Sequence, residues 1–219
     1  METYDLIQHY PRLYHMAAAG SWDSIRTNGL MTTEQLVDAC APSAQLRDDV
    51  LGVVRKRSIA LQHPNGYQVL VRDQAPLRAP FRERVLIDVT LPEWLNILNS
   101  RVFFWLQPTK LSELLNARRY RDSAHDVLTV DTASLVAAHL ANIRLSPMNS
   151  GATLYPNAAP RGRTTFQTIA DYRFTVGPKG GVRTPITELA VIGGVRDITR
   201  HVVRVEQRRC DTVLKVLVP

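Results

Sequence analysis

The strongest constraint on the fold lies in residues 13–30, LYHMAAAGSWDSIRTNGL, where the periodicity changes within a few positions. Leu13, Tyr14, His15 and Met16 read as a short strand, with Leu13 and His15 on one face and Tyr14 and Met16 on the other. A turn of small residues follows. Ser21 or Asp23 then caps a short helix carrying Trp22, Ile25 and Arg26, and Asn28-Gly29 ends it in a left-handed turn. The order is strand with histidine, small-residue turn, capped helix and Asn-Gly stop.

Around this unit, helices dominate the first half of the chain and strands the second. Residues 2–9 read as a helix stopped by Pro11. Thr32, Thr33, Glu34 and Gln35 have capping character, and Leu36, Val37 and Cys40 supply the apolar stripe of a second helix that Pro42 ends. A third helix is expected over residues 44–58, with Arg55, Lys56 and Arg57 in its last turn, where basic side chains complement the helix dipole. His63-Pro64-Asn65-Gly66 is a turn signal before a strand at 67–71, and 73–80 reads as a proline-interrupted loop. Strands are expected at 85–89, 101–106, 126–131, 172–176, 186–192 and 212–218, and further helices at 91–98, 110–121 and 132–140. The 101–106 strand is the most aromatic stretch of the chain, and alternation places Arg101, Phe103 and Trp105 on one face. There is no internal repeat, and no βαβ alternation that would suggest a Rossmann domain.

With 219 residues and 45% hydrophobic content the chain can bury a substantial core, and one compact α+β domain over residues 1–219 is expected, with a helical insertion at about 32–58. No apolar run approaches the ~20 residues of a membrane span, and residues 1–10 lack the pattern of a signal peptide, so a soluble, cytoplasmic protein without membrane contact is expected. Cys40 and Cys210 are the only cysteines, with neither a CxxC motif nor nearby histidines, and they read as two reduced thiols, one on a helix and one on a strand. The net charge of +7, carried by 23 arginines and 4 lysines, favours acidic partners, nucleic acid among them. A coding bias toward arginine would explain the ratio but not the net charge.

The opening unit resembles that of the ADP-ribosyltransferase fold, especially its bacterial, nucleic-acid-modifying DarT-like branch, in which a strand with a Tyr-His or similar pair precedes a helix ending in Gly-Leu. The resemblance implies an α+β core of two small packed β-sheets framing an NAD cleft, with NAD as co-substrate. Cleavage of the nicotinamide–ribose bond passes through an oxocarbenium-like state. It needs a group on the adenosine-side ribose, a flat group against nicotinamide and a carboxylate near the reacting ribose. In the family a strand histidine, a middle-strand aromatic and a late-strand glutamate fill these roles in that order, and here His15, the 101–106 strand and Glu188 match the order.

Glu188 would stabilise the oxocarbenium and activate the acceptor. His15, with Tyr14 beside it, would hold NAD. Phe103 or Trp105 would pack on nicotinamide, and Arg101 would meet a diphosphate. In such transferases the loop before the glutamate selects the target, which brings in Lys179 and Arg183; Asn149, Ser150, Arg161 and Thr165 are further candidates for ligand or target contacts. No metal is required. Taken singly, His15 also reads as a half-buried strand histidine, Glu188 as a solvent-facing strand glutamate, and either aromatic as core. The middle strand departs from the family pattern, having Asn99-Ser100-Arg101-Val102-Phe103-Phe104-Trp105 where a Tyr or a Ser-Thr-Ser type strand stands in close members. The alternatives are NAD glycohydrolysis or RNA 2'-phosphate transfer on the same fold, or a non-catalytic basic module that binds nucleic acid through its arginines.

Overall fold

A computed structural model describes residues 1–79, 81–175 and 185–219. Helix α1 (Thr3–His9) leads into strand β1 (Arg12–Ala18), followed by helices α2 (Trp22–Asn28), α3 (Thr33–Cys40) and α4 (Ala44–Leu51). Strands β2 (Ile59–Gln62) and β3 (Gln68–Val71) form a hairpin, and helices α5 (Phe81–Val85) and α6 (Leu91–Asn99) precede strand β4 (Arg101–Trp105). Helix α7 (Pro108–Leu115), strand β5 (His125–Asp131), helix α8 (Thr132–His139) and strand β6 (Ile143–Ser146) come next. Strands β7 (Glu188–Ile192), β8 (Val202–Arg209) and β9 (Thr212–Val218) complete the chain.

The mixed α+β architecture expected from the sequence is observed. Its strands form a seven-stranded antiparallel sheet in the order β6-β7-β4-β1-β5-β8-β9 and a separate two-stranded sheet, β2-β3. Where two small packed sheets were expected, the large sheet is continuous but narrowly joined at its centre. Strand β1 pairs with β5 at seven successive positions, Arg12↔Asp131 through Ala18↔His125. It pairs with β4 at one, Tyr14↔Trp105.

Alternation assigns the two faces. Leu13, Ala17, Val102, Phe104, Leu128, Leu189 and Val191 point into the main core with Leu6 of α1, Trp22 and Ile25 of α2 and Leu135 of α8. On the opposite face two separate clusters form. Trp94, Leu95 and Leu98 of α6 pack on Ala190 and Phe103, and Leu111 and Leu115 of α7 pack on Met16, Val127, Tyr14 and Trp105. Between them the face is not filled by either helix. Helices α3 and α4 bury Val37, Cys40 and Val50 against Leu61 and Val71 of the hairpin, forming a small core of their own.

The opening unit folds as strand then helix, extended to residues 12–18 and 22–28. Neither candidate cap accepts a side-chain bond at the start of α2; the fully buried Asp126 of β5 accepts the Trp22 N–H instead, at 3.0 Å. Gly29 has φ 82° with ψ 171°, so the stop is a positive-φ extended residue rather than a left-handed helical one. A Cβ there would lie 2.5 Å from the Arg196 Cα, because Leu30 and Val195 form a backbone bridge beside it.

Several expected elements differ. The third helix ends at Leu51 rather than 58: Arg55 turns inward and donates to Val50 O, Arg72 O and Asn99 Oδ1, capping the helix from beyond its end. Residues 85–89 form no strand, since Val85 closes α5 and only Leu86 makes an isolated bridge, to Arg161. Helix α7 ends at Leu115, leaving Arg118, Arg119 and Arg121 in the turns that follow. Residues 172–175 are not a strand, and Val176 lies outside the described residues. Strand β7 begins at Glu188 rather than 186. Both cysteines are free, Cys40 on α3 but Cys210 in the β8–β9 turn rather than on a strand. Among the described residues no helix is long and apolar enough to cross a membrane.

Candidate functional site

The unfilled stretch of the sheet face is a cleft of about 600 Å3. Its floor is the seam where β4 and β1 part after Tyr14↔Trp105, together with the start of β7. Its roof is the β2–β3 hairpin with residues of α3, including Thr33, Leu36, Val69 and Leu70, so the helical insertion and the hairpin shape the site without belonging to the large sheet. His15, Arg101, Phe103, Asn149, Ser150 and Glu188 all line it.

Glu188 is the first residue of β7, the Cα partner of Trp105 on β4 and of Ser146 on β6. That register puts it on the cleft face, yet it is 5% exposed. Burial pushes its carboxyl up to about 7, against the lowering influence of the Ser150 N–H and hydroxyl and the charge of Arg161. The Ser150 N–H donates to Oε2 at 3.0 Å. A carboxyl so placed exchanges a proton near neutral pH, which suits general acid–base work.

His15 reaches the cleft from the other side of the seam. By alternation its ring belongs with Leu13 and Ala17, and it packs at 5.7 Å against Phe104. Because β4 has parted from β1, Nδ1 finds Phe103 O at 2.9 Å. A carbonyl only accepts, so Nδ1 carries the proton and Nε2 keeps its lone pair. Burial is the main influence holding the imidazole down to about 4, and it is neutral at pH 7.

Arg101 donates to Ile97 O at 2.5 Å and Ser100 Oγ at 3.0 Å, and its guanidinium lies 5.1 Å from the Phe166 ring centroid. Among the described residues no carboxylate pairs with it, so its charge faces the cleft uncompensated. Arg161, expected as a ligand contact, does not line the cleft. It is 3% exposed and donates to Ser150 O, Asn149 O, Ala159 O and Ala152 O, which folds residues 149–152 so that the Ser150 N–H meets Glu188. Thr165 is likewise buried, accepting from the Gly162 N–H at 2.8 Å.

Tyr14 and Trp105 are kept from the cleft by α7: they pack on each other's strand in the cluster around Leu111. Of the two aromatics considered, Phe103 therefore lines the cleft and Trp105 does not. Lys179 and Arg183 lie outside the described residues.

Arg55, Arg72, Asp73 and Asn99, unmarked in the sequence as site residues, also line the cleft. Arg72 donates to Met16 O at 3.0 Å and stacks 4.5 Å over Tyr120; Arg55 and Gln74 both reach Asn99 Oδ1. Nothing local marks these residues, since their placement depends on the hairpin folding over the sheet. A second recess of about 400 Å3 shares Leu70, Arg72 and Asp73 with the cleft and is edged by Arg57 and Arg119. Basic residues thus continue outward from the cleft.

Fold and site together define a mixed α+β domain whose antiparallel sheet parts over a buried carboxyl, a neutral imidazole and an unpaired guanidinium. The chain belongs to DUF7002, a family of unknown function whose model matches residues 11–202. No curated protein and no solved structure matches it.

Proposed function

We propose that this chain is an ADP-ribosyltransferase that uses NAD and transfers ADP-ribose to an acceptor, with nucleic acid as the preferred acceptor class. The observation that carries the reading is the convergence in one cleft of His15, Phe103 and Glu188, residues from β1, β4 and β7 that the family resemblance puts in that order. The cleft volume falls within the ~300–1,000 Å3 typical of small-molecule sites.

In this reading the Nε2 lone pair of neutral His15 accepts a hydroxyl of the adenosine-side ribose. Phe103 offers a flat face to nicotinamide, and Arg101 meets the diphosphate. Ionised Glu188 lies against the reacting ribose, where its charge stabilises the positive charge that develops as the C–N bond breaks and nicotinamide leaves with the bonding pair. The same carboxylate takes the proton of the attacking acceptor. Arg161 positions the residues 149–152 loop that holds Glu188 and touches no substrate.

The net charge of +7 and the run of Arg72, Arg57 and Arg119 beside the cleft favour a phosphate backbone as the acceptor's scaffold. If that basic edge were the protein's whole purpose, the chain would be a non-catalytic nucleic-acid-binding module; if water were the acceptor, it would be an NAD glycohydrolase. Calorimetry with NAD, followed by nicotinamide release in the presence of DNA, RNA or protein, separates these. NAD binding with acceptor-stimulated release is expected; no NAD binding and no release with any acceptor would refute the transferase reading. Affinity for DNA or RNA should fall steeply with salt, and no binding at low salt would remove nucleic acid as partner.

A further inference from the structure

Away from the cleft, His139, Asp197 and His201 place one ligand atom each within 4.8 Å of one another, a cluster that none of the cleft residues enters. His139 is the last residue of α8, Asp197 precedes a 3₁₀ turn at residues 198–200, and His201 follows it. The backbone there is held from several directions. The His201 N–H donates to Ile198 O at 3.0 Å, its carbonyl accepts from the Asp131 N–H at 2.8 Å, and the Arg200 N–H donates to Asp197 O at 2.9 Å. The two imidazoles meet edge to face at 5.5 Å.

The surroundings of His201 make this more than a hydrogen-bonded staple. Ser134 Oγ lies 3.5 Å from Arg200 O, which only accepts, and 2.7 Å from His201 Nδ1. With a metal on Nε2, the ring proton sits on Nδ1 and donates to the serine oxygen, whose own hydroxyl proton turns to that carbonyl. That Nε2 is fully shielded from solvent, has no hydrogen-bond partner, and faces Asp197 Oδ2 at 3.3 Å in a residue that is 3% exposed. An imidazole nitrogen and a carboxylate oxygen that converge without a hydrogen bond between them are a pair that a cation can bridge. His139 Nε2 converges on the same carboxylate, 2.7 Å from Oδ1.

We infer that His139, Asp197 and His201 form a binding site for a divalent transition-metal ion of the zinc class, with Ser134 as the outer partner that fixes the His201 tautomer. Two imidazole nitrogens and one carboxylate oxygen suit zinc, whose bonds of ~2.0–2.1 Å put tetrahedral ligand atoms roughly 3.4 Å apart. His139 Nε2 lies 2.7 Å from Asp197 Oδ1 and His201 Nε2 3.3 Å from Oδ2, with the ligand atoms all within 4.8 Å of one another. On binding, His139 ligates through its Nε2 lone pair with the ring proton on Nδ1, and water fills the remaining coordination position on the side where Asp197 and His139 are partly exposed. The Ser134 contact repeats the arrangement in which a ligating histidine donates its other ring N–H to an oxygen. The sequence held no trace of the site because its members are 58 and 4 positions apart, outside the spacings of familiar zinc motifs.

The test uses the full chain, stripped with EDTA and titrated with Zn2+ against a chromophoric chelator. One equivalent per chain is expected, with a metal-dependent rise in melting temperature. His201→Gln and Asp197→Asn should each weaken binding at least about tenfold, Ser134→Ala about tenfold, and His63→Ala not at all. Should the ligand variants fail to fold, Co2+ added to the wild-type chain reports directly, because four-coordinate nitrogen–oxygen ligation gives intense visible d–d bands. Absence of a stoichiometric site in the wild-type chain, cobalt spectra of the aquo-ion type, or undiminished affinity in folded His201→Gln would each overturn the assignment.

Discussion

The two edges of β1 make opposite use of the same strand. Toward β5 every position from Arg12 to Ala18 is paired, and Leu128 and Val130 on the partner strand are completely buried. Toward β4 the pairing is a single position, beyond which the sheet parts and polar groups take the place of the ladder. One edge holds the domain together; the other gives up pairing and leaves a cleft. The difference also appears in the protonation of the groups at the open edge. His15 and Glu188 sit where burial opposes charge, and both are driven toward their neutral forms.

The sharpest way to break this contrast is to remove packing from the closed edge. Leu128→Ala, at a fully buried position paired with His15 on β1 and Val205 on β8, should cost about 2–5 kcal/mol in a denaturant titration. A loss below 1 kcal/mol would mean that the closed edge is not the stabilising one.

At the open edge the largest stability effect should come with the opposite sign. Because the folded protein holds the Glu188 proton up to about 7, above the ordinary 4.5, its contribution is complete below about 4.5 and is lost as pH rises to 7. Glu188→Gln removes that loss. The variant should be more stable than wild type at pH 8, by up to about 3 kcal/mol, and equal to it at pH 4. Equal stability at both pH values would place the carboxyl in water.

His15 slopes the other way, because its depressed proton affinity gives stability that is complete above 6.5 and lost as pH falls to about 4. The two slopes largely cancel between about 4.5 and 6.5. Glu188→Gln should therefore expose a stability that rises with pH across this window, and His15→Asn one that falls, as measured by melting temperature against pH. Flat profiles in both variants would contradict the shared burial of the pair. The smallest expected effect is the mean destabilisation by His15→Asn, about 0.5–1.5 kcal/mol for the lost hydrogen bond to Phe103 O.

Much of this contrast was legible in the sequence where a local rule governs the outcome. Alternation placed His15 and Tyr14 on opposite faces, and the Asn28-Gly29 stop stands where a tight approach to Arg196 demands glycine. The helix expected at 91–98 forms, and Thr90 and Glu93 add a capping box at its start. Where tertiary contacts decide, the reading was incomplete. Residues 85–89 are apolar enough for a strand, but the backbone around them pairs only at Leu86, so a short run without a partner strand stays irregular. Strand β8 escaped notice because VVRVEQRR mixes charge into both faces, a pattern that works only because Val205 alone is buried. Arg161 looked like a ligand contact because loops carry such residues, and nothing in its neighbours announced that four carbonyls would use its donors. The hairpin roof and the His139–Asp197–His201 cluster depend wholly on distant segments meeting.

The proposed transferase chemistry needs Glu188 at a ribose of the ligand that His15 holds. The most direct test is nicotinamide release by the wild-type chain and by Glu188→Gln, with NAD affinity measured on both. Release should fall by about 10²–10³ while NAD affinity stays within a few fold. Release at the wild-type rate in Glu188→Gln, or a wild-type chain that does not bind NAD at all, would contradict that chemistry.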